Sequence, residues 1–199
     1  MGAEYAAHTE PLPDGELRGG PARDPEIIDA ISAGDHRRAL VLCSERHGVR
    51  LGRLCLALVG SQAEADDLVQ ETLLDAHAGF GSYRAEGTLR GWLCAIARRK
   101  CARHLEKRAR HAAELTQLPA DAEAALPVEV LMQREQAASA RAALSSIRPS
   151  EREALLLRFL SELSFREVGQ ACGIDEAAAR QRVSRGLRRM RELLARSGS

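Results

Sequence analysis

Four features that this 199-residue sequence lacks or has little of limit what the chain can be. Aromatic residues make up 3% of it, and no segment alternates β-branched with polar residues, which argues against a β-sheet core. No run of eighteen apolar residues occurs, and the N-terminus lacks the basic and then apolar order of a signal peptide, so we expect a cytoplasmic protein. Abundant leucine, alanine and arginine instead predict an essentially all-α chain.

The five cysteines are odd in number and include no Cys-x-x-Cys pair. Cys43 with His47, and Cys101 with His104, have helical spacings that could serve a metal ion. The alternative is that each thiol is a small apolar side chain on a packed helix face, and we expect reduced, structural thiols. Because the sequence also shows no nucleophile–base arrangement and no phosphate loop, we expect neither a cofactor nor catalysis.

Positive charge is missing from one long stretch, since no lysine or arginine occurs between Leu54 and Tyr83. Segments with seven Lys/Arg against one Glu (Arg98–Arg110) and seven Arg against two Glu (Glu176–Arg196) lie further along the chain. Although the formal net charge is only +1, acidic and basic residues are separated along the chain. This separation predicts acidic and basic surfaces and favours a protein that binds a basic partner and a polyanion. An ordinary solvated helix face is the alternative for the acidic residues of the window. They are Glu64, Asp66, Asp67, Glu71 and Asp75.

The N-terminal part of the chain reads as a short tail followed by helices. Residues 1–24 are rich in Gly and Pro without apolar periodicity, which predicts a disordered tail. Asp24-Pro25-Glu26 has the order of a helix start, and Gly60-Ser61 separates two helical segments. A Gly-rich loop, Gly79–Gly87, leads to Thr88 as a further cap. Helices are predicted at Glu26–Ala33, Asp35–Val59, Gln62–Ala78 and Leu89–Ala112.

The helix predicted after Thr88 carries an aromatic residue beside basic ones. At 100° per residue, Trp92, Arg99 and Arg103 lie within roughly 40° of one another. Such a strip suits stacking and phosphate contacts with a nucleic acid strand. Plain core packing is the alternative for Trp92.

The C-terminal part reads as a helix-turn-helix after a linker. Leu115–Pro127 contains two prolines and several small residues, which predicts a flexible linker. Helices are predicted near Val128–Ser146 and from Pro149 to Leu160. Ser164-Phe165-Arg166-Glu167 then forms a capping box, and Cys172-Gly173-Ile174-Asp175 supplies a turn and a fresh cap before an Arg-rich helix.

The first turns of that last helix carry side chains suited to a major groove. Arginine can grip guanine or a phosphate with two parallel hydrogen bonds. The helix continues with Arg188, Arg189 and Arg191, for which phosphate contact and a solvated, dipole-stabilised helix end are both open. The predicted base and phosphate contacts are Arg180, Gln181, Arg182, Ser184 and Arg185.

Together these segments resemble the extracytoplasmic-function (group 4) sigma factors of bacterial RNA polymerase. Residues 61–72 (SQAEADDLVQET) look like the family's core-polymerase-binding segment, and residues 91–98 (GWLCAIAR) are similar to its promoter-melting helix. Leu155–Arg185 is similar to the domain that reads the −35 element. The resemblance covers Ile27 to Leu194.

The resemblance implies two small helical domains with separate tasks, residues 25–111 and 136–196, joined by a linker at 112–135. Core RNA polymerase and promoter DNA are the implied partners, and an anti-sigma factor is a possible third. Core polymerase is expected to bind Asp66, Asp67, Gln70 and Glu71. The loop Gly79–Gly87 and the helix after it are expected to capture an unstacked −10 base. The implied −10 contacts are Tyr83, Arg84, Trp92, Arg99 and Arg103.

One departure from the family pattern concerns the −10 element. Where the family commonly has Asn and, four residues later, Asp, this chain has Arg99 and Arg103. The −10 base preference is therefore open, while the added positive charge suits binding of a single strand.

Two other functions compete with a sigma factor. A stand-alone operator-binding regulator would use the same helix-turn-helix, although such regulators usually dimerise and the sequence has no evident dimer helix. A helical interaction module would bind acidic proteins with its basic faces.

Overall fold

The computed structural model describes residues 24–114 and 142–197, and within those ranges all regular structure is helical. The predicted tail up to Arg23, the linker Leu115–Pro127 and most of the helix predicted near Val128–Ser146 lie outside the described residues. The first three positions of the linker predicted at 112–135 are helical. The helices are α1 (Pro25–Ser32), α2 (His36–Val59), α3 (Gln62–Gly79), α4 (Leu89–Glu114), α5 (Pro149–Leu155), α6 (Phe165–Cys172) and α7 (Glu176–Ser197).

The helix starts form where the sequence places capping side chains. Asp35 accepts a hydrogen bond from the Arg38 N–H at 3.1 Å, and Ser61 accepts one from the Glu64 N–H. These bonds satisfy amides that a helix leaves unpaired in its first turn. Gly60 ends α2 with φ of 82°, a left-handed conformation that glycine adopts without a side-chain clash.

The core of the first part lies between α2, α3 and α4. Its fully buried side chains include Leu51, Leu54, Phe80, Leu89 and Leu93. Phe80 begins a 3₁₀ turn, Phe80–Ser82, within the predicted loop. Burial of such side chains away from water is the main favourable term that holds the three helices together.

The cysteines contribute to this packing as free thiols. Burial raises the pKa of the Cys43 thiol to about 12, which keeps it protonated. Cys55 and Cys101 are buried opposite each other on α2 and α4, and their mutual hydrogen bond raises the pKa of Cys101. Among the described residues, no group of three or more His, Cys, Asp and Glu side chains could hold a metal ion.

A buried hydrogen bond fixes the start of α1 against α2. His47 Nε2 lies 3.0 Å from Asp24 Oδ2, and both residues are 6% exposed. Burial lowers the pKa of His47, although Asp24 acts in the opposite direction. The Arg46 guanidinium bonds with the Glu26 carboxylate beside this pair.

The second part is a helix-turn-helix packed on α5. Ser164 and Glu167 form the reciprocal bonds of the predicted capping box. Gly173 ends α6 with φ of 67°, and the Ala178 N–H donates to Asp175 Oδ1 at 2.7 Å at the start of α7. α5 does not continue as an α-helix to Leu160, because residues Leu156–Leu160 form a π-helical turn.

The two parts contact each other directly. Arg50 Nη1 lies 2.8 Å from Glu162 Oε2, and Arg90 donates to the Glu162 carbonyl at 3.0 Å. Arg98 Nε donates to Glu153 Oε2 at 2.9 Å. The three arginines belong to α2 and α4, and both acids belong to the C-terminal part. Charge pairs therefore hold the C-terminal part against α2 and α4.

Candidate nucleic-acid and protein interfaces

The acidic face of α3 is built on a helix whose other side is buried. Ala65, Leu68, Thr72 and Ala76 recur every three or four residues and pack into the core. This spacing turns Asp67, Gln70 and Glu71 outward, and all three are exposed. Asp66 is exposed too and lies at the edge of this face, about 40° from Gln70 but about 100° from Asp67 around the helix.

Much of the acidic charge is paired within the protein. Lys100 of α4 lies 3.2 Å from Glu71 and 2.9 Å from Asp75, which raises the pKa of Lys100. Glu64 pairs with Arg108 of α4 at 3.0 Å, and Asp66 accepts from Gln62 at 2.7 Å. The basic helix next to the acidic one therefore has a structural role as well, which the sequence analysis did not foresee.

Asp67 and Gln70 differ from their acidic neighbours. In the part of the chain that the structure describes, neither side chain makes a hydrogen bond or an ion pair. Leu74, one helical turn beyond Gln70, is 64% exposed on the same side of α3. Leu74 was not among the residues predicted from the sequence, although its spacing of seven residues from Asp67 places both on the same side of a helix. An acid, an amide and an apolar side chain thus form one open face.

A cavity of about 350 Å³ lies between the loop after α3, the helix α4 and the helix α6. Arg84 and Glu86 are exposed in the loop, and the Tyr83 hydroxyl donates to the Gly87 carbonyl at 3.4 Å. The structure brings four of the five predicted −10 contacts to this cavity. They are Tyr83, Arg84, Trp92 and Arg99.

Trp92 is half-buried at the cavity wall. The two interpretations of its role, core packing and stacking on a nucleic acid base, are therefore compatible. Its ring centroid lies 5.0 Å from that of Tyr83 and 6.0 Å from that of Phe80, distances that suit aromatic contact. A side chain at Gly79 would come within 3.1 Å of the indole. The packed edge of the ring is held by the loop, while the remaining surface faces the cavity.

The far wall of the cavity belongs to the C-terminal part. Glu167 and Gln170 of α6 line it, and Thr88 Oγ1 donates to Glu167 Oε1 while accepting from the Gly91 N–H at 3.1 Å. Burial alone would raise the pKa of Glu167, but hydrogen bonds from Thr88 and Ser164 outweigh it and lower that pKa. An ionised carboxylate therefore lies in the far wall of the cavity.

Arg99 and Arg103 are both exposed on α4. Arg103 lies one turn further along α4 and is not part of the cavity wall. The two guanidinium groups extend a basic strip from the cavity toward the end of the helix, as their spacing predicts.

The last helix presents four of its five predicted contacts to solvent, Arg180, Gln181, Ser184 and Arg185. Arg182 is only partly exposed and lies near Cys172, so it is turned toward α6. Val183 and Gly186 form the buried side of α7, where a side chain at Gly186 would come within 2.8 Å of Leu155. Close packing on α5 thus orients the exposed face.

Two family models match the chain, one in each part. Residues 44–111 match Sigma-70 region 2, and residues 137–190 match Sigma-70, region 4. The chain is 30% identical over 201 residues to the ECF RNA polymerase sigma factor SigE of Mycolicibacterium smegmatis, which covers 97% of this chain and 77% of that protein. It is 31% identical over 159 residues to the RNA polymerase sigma factor CarQ of Myxococcus xanthus, with coverages of 75% and 85%.

Two solved structures share the fold. One is the sigma factor RpoE in complex with the anti-sigma factor NepR from Bartonella quintana, with a TM-score of 0.63, 27% identity and coverage of 81% of this chain and 97% of that one. The other is CnrH in complex with the cytosolic domain of CnrY, with a TM-score of 0.66 and coverage of 86% and 97%. At 21% identity, the second likeness bears on the fold alone. Within the described residues, no helix is long and apolar enough to cross a membrane.

Proposed function

This chain belongs to the ECF RNA polymerase sigma factors, which direct transcription initiation, and we propose how its described surfaces divide that task. The observation that carries the proposal is that one chain keeps an acidic face of α3 and a basic face of α7 open to solvent. The hidden sides of the same helices build the two cores. Each open face then serves a different partner.

The face of α3 is the proposed docking site for core polymerase. Asp67 and Gln70 have no partner of their own within the described residues, so a basic surface can pair with them without breaking an internal contact. Glu71 contributes less directly, because Lys100 already holds it. Asp66 lies at the edge of this face.

The face of α7 is the proposed −35 reader. Arg180, Gln181, Ser184 and Arg185 project from the first turns of the second helix of a helix-turn-helix, the part that enters a major groove. Arg182, at the side of this face, would bind a phosphate or stabilise the packing of α7 on α6. The residue span of this domain is proposed as about 136–196.

The cavity between the loop and α4 is the proposed site for an unstacked −10 base. Trp92 and Tyr83 supply aromatic surface, and Arg84, Arg99 and Arg103 supply positive charge for the strand. Glu167 bonds Thr88 at this site, and its negative charge would repel a DNA strand, so we expect α6 to move away before the strand enters. The domain that carries the site spans about 25–111.

The proposal extends to the wider setting of the protein. The RpoE relative is bound to an anti-sigma factor, so an anti-sigma partner is proposed for this chain as well. The chain itself is proposed to be non-enzymatic, since polymerase performs the chemistry, and to act in the cytoplasm, where the transcribed DNA is.

Co-purification with core polymerase tests the docking face. Asp67→Arg reverses an unpaired, exposed charge, and binding should fall sharply because like charges then meet across the interface. Glu106→Arg makes the same charge change at an exposed position of α4 and should leave binding intact. Circular dichroism checks that both variants stay helical. Core binding by folded Asp67→Arg at the wild-type level would refute the assignment.

A further inference from the structure

Phe165 makes a contact in the C-terminal part that its place in α6 does not by itself explain. It is half-buried at the first position of α6. The guanidinium of Arg180 lies 4.3 Å from its ring centroid, and that of Arg158 lies 4.5 Å from it. Both distances are inside the range of about 6 Å for cation–π attraction. One ring therefore links the π-helical turn, α6 and α7.

The ring itself has a fixed position. The capping box of Ser164 and Glu167 sets the start of α6 immediately around Phe165. Arg158 is 5% exposed and donates to the Leu163 carbonyl at 2.9 Å, so the guanidinium on the inner side is held as well. A ring supported in this way can orient a more mobile side chain that rests on it.

Arg180 rests on the outer side of this ring and is more exposed than Arg158. It is 46% exposed on the open face of α7, and its guanidinium also pairs with Glu176 at 2.9 Å. A free arginine loses much rotamer freedom when it binds, so contacts that order it beforehand lower the cost of binding. Arg185 lies on the same exposed face and makes no contact with an aromatic ring within the described residues.

We infer that Phe165 is a positioning residue for the −35 contact: its ring holds the guanidinium of Arg180 ready for DNA. This rests on the proposed role of α7. Phe165 need not touch DNA, because it acts through Arg180.

The test uses the full chain with core polymerase and a promoter library randomised over both elements. Holoenzyme-bound DNA is sequenced, and base preference is scored at each −35 position. Arg180→Ala identifies the position that depends on Arg180. Phe165→Leu should weaken preference at that same position by about two- to fivefold, in line with the strength of exposed cation–π contacts. Phe165→Tyr, which restores a ring face, should recover it.

Two comparisons separate positioning from a structural role. Phe165→Leu should have no additional effect at that position in an Arg180→Ala background, whereas its effect should simply add to that of Arg185→Ala. Phe165→Met, which has a side chain as large as leucine but unbranched and also has no ring, is measured beside Phe165→Leu and should show the same selective loss. Melting temperatures are recorded for all variants.

The outcomes are distinguishable. A profile for Arg180→Ala identical to that of the wild type overturns both the inference and the assignment of Arg180 as a −35 contact. A changed profile for Arg180→Ala with unchanged profiles for Phe165→Leu and Phe165→Met overturns the inference alone. A uniform loss at every −35 position with a lowered melting temperature also overturns it, since that result indicates packing only.

Discussion

At the scale of the residue, Trp92 has two different environments because it is half-buried. One part of its ring packs on Phe80 and Tyr83, and another part faces the cavity. Full loss of a buried tryptophan costs about 3–5 kcal/mol, and partial burial lowers that figure. We therefore expect Trp92→Ala to destabilise the fold by about 2 kcal/mol and to impair promoter opening as well.

Denaturant titration and a strand-opening assay measure the two effects separately. Trp92→Phe keeps an aromatic surface and should recover most of the opening activity with a smaller loss of stability. Normal opening by a folded Trp92→Ala variant would contradict the role in base capture. An unchanged free energy of unfolding would contradict the packing role.

Some features of single residues could be predicted from the sequence and others could not. The outward positions of Asp67, Gln70 and Arg180 follow from helical periodicity, which is local, and were predictable. The contacts of Arg90 with Glu162 and of Phe165 with Arg180 join residues from different elements. The sequence around one residue of such a pair does not identify the other. Leu74 is an intermediate case. Its side of the helix could be predicted from its spacing, but the exposure of its apolar side chain could not.

At the scale of the element, the helix-turn-helix depends on close approach at Gly169. A side chain there would meet the Ile174 carbonyl oxygen at 2.8 Å, and a backbone atom cannot swing aside as a side chain can. Gly169→Ala should therefore destabilise the C-terminal part by about 1–3 kcal/mol, the usual cost of overpacking. Thermal unfolding checks the change.

Gly52→Ala is the matched control for that substitution. Gly52 lies inside α2 with nothing within 4 Å of the added methyl group, so alanine should stabilise the protein by about 0.5–1 kcal/mol through its higher helix propensity. The same change thus has opposite signs at two helical glycines. Equal melting temperatures for the two variants would mean that Gly169 is not a close contact.

Elements that depend on neighbouring residues could be predicted from the sequence, whereas an element that depends on contacts between distant residues could not. The capping box at Ser164 and the turn at Gly173 depend on neighbouring residues, so the sequence located both. The π-helical turn Leu156–Leu160 has no such local signal. It lies against α2, and the following Glu162 takes up a positive φ of 54° where two arginines hold it. Long-range contact shapes this turn.

At the scale of the whole molecule, the two parts on either side of the predicted linker lie in contact with each other. Arg50 and Arg90 of the first part hold Glu162 of the second, and the bond from Arg50 lowers the pKa of that carboxyl. The ionised carboxylate favours the contact, so its contribution is present above the ordinary pKa of 4.5 and is lost as the pH falls through the lowered one. The arrangement is thus held at neutral pH.

The same contact covers Cys94, which supplies a probe for opening. Burial raises the pKa of the Cys94 thiol to about 11, although the hydroxyl of Ser161 from the C-terminal part acts in the opposite direction. Cys94 should therefore react slowly with a maleimide in the free protein, since the thiolate is the nucleophile. Replacement of the half-buried Cys172 by serine removes a competing signal.

Glu162→Ala should raise the labelling rate of Cys94 because the variant removes the carboxylate that both arginines hold. Labelling of Cys55 and Cys101, which are buried within the first part, should not change. Glu192→Ala, which removes an acid paired only within α7, is the control and should label like the wild type. Mass spectrometry of labelled peptides assigns each site. Core polymerase with promoter DNA should raise Cys94 labelling in the wild type too, because the proposed capture of a base in the cavity requires α6 to move away. An unchanged rate would show that the two parts stay together during initiation.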